Sequence, residues 1–364
     1  MTNTDCNFPI IKYNTQISSI DNGKVHGESF RPQIIELFNI RKDLMLQKNP
    51  LLQNKLKELS TLQIKASEKL APHLIKELQG IAEGSKLQIE DIVLLNNYTD
   101  FRDIQLPEEG CSTIAISDSN NISCGQTWDM HGSAKKYVSV IEVEDNQGIT
   151  QVVFSLVGCL GMMGFTNKGC FVGVNNINTQ NAKAGVIWPL LVRHLLNQKN
   201  AKEMYQLLKE KPVTSGHNYL ISDPKQSFHL EVSPSFFEET DTLKRDEIKQ
   251  IFHTNHCLGT NTKSIEISNM LSSTTHNRMN ILQKNSDKLK SYNDLRNILT
   301  SHEEYPKSIC SHFESGAQDP SFTCGGGIVN MDNFNCNLWR GCPTEDKNFV
   351  EYKYQFDGKY FSKS

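Results

Sequence analysis

The bond between Gly110 and Cys111 separates a helical part of the sequence from a strand-rich part. Apolar residues recur at helical spacing before it, whereas residues 112–117 are rich in β-branched side chains. If this bond broke, Cys111 would start a new chain and carry a thiol and a free α-amine on one residue. The thiolate is the reactive form, and an α-amine, with a pKa of about 7.7–8.0, is a base suited to generating it. Cys111 is therefore a candidate nucleophile for acyl transfer.

Acyl transfer through a cysteine requires two further kinds of group. The tetrahedral oxyanion needs hydrogen-bond donors, commonly an Asn side chain together with backbone N–H groups. The new ammonium group at the chain start needs a partner, and a carboxylate can serve. Segment 125–129 ends in Asp129 and segment 253–257 contains Asn255, so the sequence holds both chemical types. Cys111, Asn255 and Asp129 are the candidate catalytic residues.

Composition excludes several classes of partner. The chain has 364 residues with a net charge of −3, and its basic residues form no block, which argues against binding to nucleic acid or to an anionic membrane surface. Residues 1–9 lack the basic start and apolar core of a secretory signal. The most apolar stretch, residues 152–165, is too short to span a bilayer. We therefore predict a cytoplasmic protein with no membrane segment.

The ten cysteines are spread along the chain, and without a secretion signal they do not predict a disulfide framework. Structural zinc sites favour paired ligands at short spacing. The nearest approaches are Cys310 with His312 and His256 with Cys257, and neither has a matching second pair. We predict no metal site.

The periodicity of the apolar residues predicts helices over most of the first hundred residues. Strands dominate from 112 to 174 and again over the last sixty residues, and further helices are expected at 188–209 and 275–300. A polar stretch at 238–250 separates the strands near 217–232 from the segment that contains Asn255. Helical groups flanking a large antiparallel sheet set predict a layered architecture in one domain.

Three motifs together resemble the penicillin acyltransferase family of self-processing N-terminal-nucleophile hydrolases. They are Gly110-Cys111-Ser-Thr, Gly125-Gln-Thr-Trp-Asp129 and His253-Thr-Asn-His-Cys257. Weaker similarities extend over most of the chain, at His26-Gly27, 91–96, 308–310, Asp332 and 341–343. The resemblance implies an α+β fold, a four-layer αββα sandwich that forms one domain over residues 1–364.

The resemblance also implies a precursor that cuts itself between Gly110 and Cys111. The products would be an α-chain of residues 1–110 and a β-chain of residues 111–364, held together as a heterodimer. Cys111 would be the nucleophile in both self-cleavage and turnover, with its α-amine as the base. Asn255 would donate to the oxyanion, and Asp129 would hold the amine.

The same resemblance places Trp128, Thr254 and Ser311 beside the substrate. Ser311 follows Cys310 at a position where the penicillin enzyme has a basic residue suited to a substrate carboxylate, which argues against penicillin-like substrates. The expected substrate is a small amide or an acyl-thioester such as an acyl-CoA, and the chemistry needs no cofactor. Water or an amine could accept the acyl group, so hydrolase and transferase both stay open. The alternative is a non-catalytic or metal-binding relative whose chain is never processed.

Overall fold

The computed structural model describes residues 8–103, 110–312 and 322–364. Most of residues 1–9, the segment predicted not to be a secretory signal, lies outside the described residues. The helices are α1 (Ser19–Ser29), α2 (Arg31–Lys48), α3 (Leu56–Glu68), α4 (Pro72–Ser85), α5 (Ile89–Asn96), α6 (Tyr98–Asp103), α7 (Trp188–Leu195), α8 (Ala201–Glu210), α9 (Thr260–Ser264), α10 (Thr275–Lys284) and α11 (Tyr292–Leu299). Short 3-10 turns lie at Pro50–Asn54, Gly132–Tyr137, Ser268–Met270 and Ser286–Lys288. The helical first hundred residues and the two later helical regions are confirmed.

The strands pair almost entirely in antiparallel fashion. They are β1 (Ile10–Asn14), β2 (Gly110–Asp118), β3 (Ile122–Met130), β4 (Val138–Asp145), β5 (Gly148–Leu156), β6 (Met163–Thr166), β7 (Phe171–Asn176), β8 (His217–Asp223), β9 (Gln226–Val232), β10 (Phe237–Lys244), β11 (Ile248–His253), β12 (Phe322–Asn330), β13 (Cys336–Arg340), β14 (Val350–Phe356) and β15 (Phe361–Lys363). Their order is β10-β9-β8-β7-β6-β5-β15-β14-β13-β12-β3-β2-β11, with β4 on β5 and β1 parallel to β4.

The sheet folds back so that its two halves face each other. Strands β2 and β7 are far apart in the strand order, yet Thr113 Oγ1 donates to Asn175 Oδ1 at 2.6 Å and Gln126 Nε2 donates to the Val174 carbonyl at 2.7 Å. Because side chains alternate across a strand, the residues next to these point outward. β2 and β3 therefore form one inner layer and β7 and β8 the other.

Helices cover both outer faces. On one side, Ile114 and Ile116 of β2 pack in a buried cluster with Ile281 and Leu282 of α10 and with residues of α11. On the other side, Tyr205 of α8 packs its ring on Phe228 of β9, with ring centroids 5.4 Å apart. The order helix, sheet, sheet, helix confirms the predicted α+β αββα fold.

The segment around Gly23 and Gly27 is helical, although Asn22-Gly23 and Gly27 are residue types that favour a turn. α1 packs on α4 so closely that a Cβ at Gly23 would lie 2.1 Å from the Glu77 carbonyl oxygen, and one at Gly80 would lie 2.0 Å from that of Ile20. Glycine is disfavoured in isolated helices, and here the close helix contact outweighs that local preference.

The polar stretch 238–250 also differs from expectation. It contains most of β10 and the start of β11, which lie at the two opposite ends of the strand order, and their side chains are mostly half-buried or exposed. The apolar signal of a buried strand is therefore weak there. Within the described ranges, no helix has the length and apolar character needed to cross a membrane.

Candidate active site

Cys111 is buried near the start of β2, with 4% of its surface exposed. In the pairing of β2 with β3, Gly110 lies opposite Asp129 and Cys111 lies opposite Trp128. Because alternate residues share a face, Cys111 points into the space between the two sheets together with Thr113. Gly110 and Ser112 lie on the outer face, toward α10. The Cys111 thiol therefore lies on the inner face of the sheet. The Gly110–Cys111 bond lies between a residue of the outer face and a residue of the inner face.

Asn255, which follows β11, holds the backbone of Cys111. Its side-chain Oδ1 accepts the Cys111 backbone N–H at 2.7 Å, and its Nδ2 donates to the Asn176 carbonyl at 2.8 Å. Its own backbone N–H donates to Thr275 Oγ1 at the start of α10 at 2.7 Å. In this uncleaved arrangement one N–H of the Asn255 amide is already bonded, which leaves the second for a further acceptor.

Arg278 is the residue that sequence reasoning missed. It is 1% exposed on α10, three residues after Thr275 and so on the same helix face. Its Nη1 donates to the Cys111 carbonyl at 2.6 Å and to Ser112 Oγ at 3.0 Å, and its Nη2 donates to Asn255 Oδ1 at 2.8 Å. The guanidinium thus ties the candidate nucleophile to the candidate oxyanion residue. A single arginine in a helix has no motif that would have identified it.

Asp129 is buried on the outer face of β3, 2% exposed, and therefore on the opposite face from the Cys111 side chain. Burial raises the pKa of Asp129 to about 6, and the charge of Arg278 and hydrogen bonds from Thr323 and Thr127 only partly offset that effect. Its Oδ1 has no hydrogen-bond partner among the described residues. A buried carboxylate oxygen without a donor is costly, so the ionised group is disfavoured in the uncleaved chain.

The three residues expected beside the substrate lie in different settings. Trp128 packs on Phe154 with ring centroids 6.1 Å apart, on the same face as Cys111. Thr254 Oγ1 donates to the Thr275 carbonyl at 3.1 Å and so ties the end of β11 to α10. Ser311 Oγ donates to the Pro306 carbonyl at 3.0 Å, and its side chain is buried. Thr254 and Ser311 therefore make internal contacts.

A buried contact between His253 and Glu231 supports the segment that carries Asn255. His253 Nε2 lies 2.7 Å from Glu231 Oε1, and the Glu231 carboxylate also accepts the backbone N–H groups of Leu258 and Gly259 at 2.6 and 3.1 Å. Burial alone would raise the pKa of Glu231, but hydrogen bonds and the charge of His253 outweigh burial and lower it. Both ends of the segment are thereby fixed to β9.

The chain belongs to the acyl-coenzyme A:6-aminopenicillanic acid acyl-transferase family. The family model matches residues 117–319, more than half of the chain. A relative from Emericella nidulans, the 40 kDa form of acyl-coenzyme A:6-aminopenicillanic-acid-acyltransferase, is 25% identical over 301 residues, which cover 81% of this chain and 82% of the relative. The family assignment supports an acyltransferase or amidohydrolase activity for this chain.

Two solved structures overlap part of the fold. Penicillin V acylase from Agrobacterium tumefaciens aligns with a TM-score of 0.32 at 10% identity, over 68% of this chain and 92% of that one. A mutant of conjugated bile acid hydrolase from Clostridium perfringens aligns with a TM-score of 0.36 at 10% identity, over 69% of this chain and 98% of that one. The family assignment does not depend on either overlap. The family match begins after Cys111, so the support for Cys111 as the nucleophile is the geometry around it.

Proposed function

We propose that this protein is a cysteine N-terminal-nucleophile enzyme that activates itself by cleavage between Gly110 and Cys111. It would then cleave or transfer the acyl group of a small amide or acyl-thioester through a Cys111 thioester. The observation that carries the proposal is the convergence of Asn255 and Arg278 on the backbone of Cys111. Three segments separate in sequence thus place a thiol, an amide and a guanidinium at one residue, with Asn255 on the N–H of Cys111 and Arg278 on its carbonyl.

Self-cleavage would proceed in two steps. The Cys111 thiol attacks the Gly110 carbonyl carbon, the C–N bond breaks, and the proton of the thiol passes to the departing Cys111 nitrogen. Water then hydrolyses the Gly110 thioester, which frees the thiol and leaves a carboxylate at Gly110. The products are an α-chain of residues 1–110 and a β-chain of residues 111–364 within one folded domain. The sheet and the α10 contacts hold the reacting groups together before and after this step.

In turnover, the α-amine of Cys111 would take the thiol proton while the thiolate attacks the substrate carbonyl. Asn255, through its remaining N–H, would donate to the oxyanion, and removal of one such donor typically costs about a hundredfold or more in kcat. Asp129 would hold the ammonium form of the amine. Ser311 bonds to Pro306 and supplies no cation, so we propose substrates without a carboxylate at that position.

The test of cleavage is the intact mass of the denatured protein. The wild type should yield chains of roughly 12 and 29 kDa if the 41.3 kDa mass divides with length, with Cys111 at the start of the larger. Cys111→Ala should remain one chain. Cys124→Ser, in the neighbouring strand, is the matched control because burial raises the pKa of that thiol to about 12 and makes it inert. Processing of Cys111→Ala would overturn the proposal.

Two variants of Asn255 separate its roles. Asn255→Asp keeps an oxygen that can accept from Cys111 N–H and Arg278, but it removes the amide donor. Asn255→Ala removes both. If Asn255 donates to the oxyanion, both variants should lose about a hundredfold or more in kcat once processed. Full turnover by Asn255→Asp would assign the oxyanion to another donor.

A further inference from the structure

A group of histidine and cysteine side chains lies outside the candidate active site. The Nε2 atoms of His302 and His312 are 3.1 Å apart, and Cys342 Sγ is 3.3 Å from His302 Nε2. One ligand atom from each of these three residues lies within 4.8 Å of the other two. His302 and His312 come from the segment between α11 and β12, and Cys342 comes from the turn after β13.

A second thiol, that of Cys310, lies beside the Cys342 thiol. Cys310, two residues before His312, forms a side-chain hydrogen bond with Cys342, and both cysteines are buried. Two imidazoles and the Cys342 thiol therefore come together, and the Cys310 thiol lies beside that of Cys342, although these residues are spread over positions 302 to 342 of the chain.

The chemistry of this set fits zinc. In a tetrahedral Zn²⁺ site with Zn–N near 2.0–2.1 Å and Zn–S near 2.3 Å, a ligand nitrogen lies about 3.3–3.6 Å from its neighbouring ligand atoms. The separations of 3.1 and 3.3 Å are close to those edges. Thiolate and imidazole are ligands that zinc prefers, and two of each form a closed structural site. We propose that His302, Cys310, His312 and Cys342 bind one Zn²⁺ ion, with each thiol releasing its proton on binding.

The surroundings of the cluster support this proposal. Thr344 Oγ1 lies 3.5 Å from His302 Nδ1, the second ring nitrogen of that histidine, and 3.3 Å from Cys342 Sγ. Metal-bound histidines usually have such a partner on their second nitrogen, because it orients the ring.

Zinc would join two segments near the candidate active site. The backbone N–H of Ser311, next to Cys310, donates to Thr323 Oγ1 at 2.9 Å, and Thr323 lies opposite Asp129 in the sheet. The ion would therefore stabilise the position of Thr323 without touching Cys111. Zinc at this place is compatible with catalysis, so processing at Cys111, and not zinc content, separates the enzyme from a non-catalytic relative.

The test is metal analysis of the purified full-length protein with any tag removed. About one zinc per chain is expected, together with the absorption of tetrahedral thiolate-bound cobalt after zinc is replaced by Co²⁺. The variants His302→Gln and Cys342→Ser should lose the metal and the zinc-dependent rise in Tm. His73→Gln and Cys170→Ser, which lie outside the cluster, are matched controls and should keep both.

The cobalt titration of the wild type keeps the proposal testable if a ligand variant fails to fold. Zinc far below one per chain with no cobalt spectrum would overturn it. A disulfide between Cys310 and Cys342, with no metal uptake after reduction, would also overturn it. Retention of zinc by both ligand variants would move the metal to another site.

Discussion

Asp129→Asn in the uncleaved Cys111→Ala background should stabilise the fold at neutral pH. Burial raises the pKa of Asp129 from 3.8 to about 6, so the folded chain favours the protonated carboxyl. One pKa unit corresponds to about 1.4 kcal/mol, and the ionised group therefore costs the fold about 3 kcal/mol. Because Asp129 is only 2% exposed, solvent screening does not reduce this figure much. Asn resembles the protonated carboxyl and escapes the cost.

The sign of the pH dependence follows from the raised pKa. The stability that the protonated carboxyl contributes is fully present below pH 3.8 and is lost as the pH rises through about 6. The two proteins should therefore have nearly equal free energies of unfolding at the acidic end, around pH 4. The Asn variant should be more stable by about 3 kcal/mol at about pH 8.

The assay is urea unfolding of both proteins between about pH 4 and pH 8 in the presence of a chelator. Asp118→Asn, at the exposed end of β2, is the matched control and should change stability by less than about 0.5 kcal/mol at every pH. An Asp129→Asn variant that is less stable than its parent at the alkaline end would refute the reasoning. It would mean that Arg278 already makes the ionised carboxylate favourable.

Two further predictions concern residues that position Cys111 and Asn255, and a third concerns the contact between α1 and α4. Arg278→Met should slow self-cleavage roughly a hundredfold, measured as the half-life of the uncleaved chain, because Cys111 and Asn255 lose their shared donor. Glu231→Gln should destabilise the fold by about 3 kcal/mol in urea unfolding, and the wild-type advantage should shrink as the pH falls below 4.5, since the pKa of Glu231 is lowered. Gly80→Ala should lower Tm strongly because its Cβ would lie 2.0 Å from a backbone oxygen, whereas Gly132→Ala, with 3.6 Å of space, should not.

The strands around Cys111 were predictable because their alternation and turns are local signals. Residues 112–117 lie in β2, and strands β2 to β7 occupy most of the range from 112 to 174 where strands were expected. The helix α1 was not predictable from Gly23 and Gly27, since its stability comes from contact with α4, which is distant in sequence. Local periodicity carries no information about such a contact.

The candidate active site shows the same contrast between local sequence signals and contacts that depend on packing. Asn255 could be chosen because an oxyanion needs an amide donor, and the structure places it on the backbone of Cys111. Arg278 could not, because a helical arginine is ordinarily a surface residue and only the packing of α10 buries it. The cluster around His302 and Cys342 was visible only in part: Cys310 and His312 form a short pair in the sequence, but His302 and Cys342 are distant from it and do not form a second pair.

The charge arrangement at the junction yields a last prediction about the processed enzyme. Before cleavage, the nitrogen of Cys111 offers one N–H, which Asn255 accepts, and Asp129 has an oxygen without a partner among the described residues. The proposed cleavage would turn that nitrogen into an ammonium with three N–H groups and a positive charge beside β3. Such a charge lowers the pKa of a nearby carboxyl. Asp129→Asn should therefore cease to stabilise the protein once it is processed, and urea unfolding of the cleaved pair at about pH 8 measures this. An unchanged gain of about 3 kcal/mol would mean that Asp129 does not hold the amine.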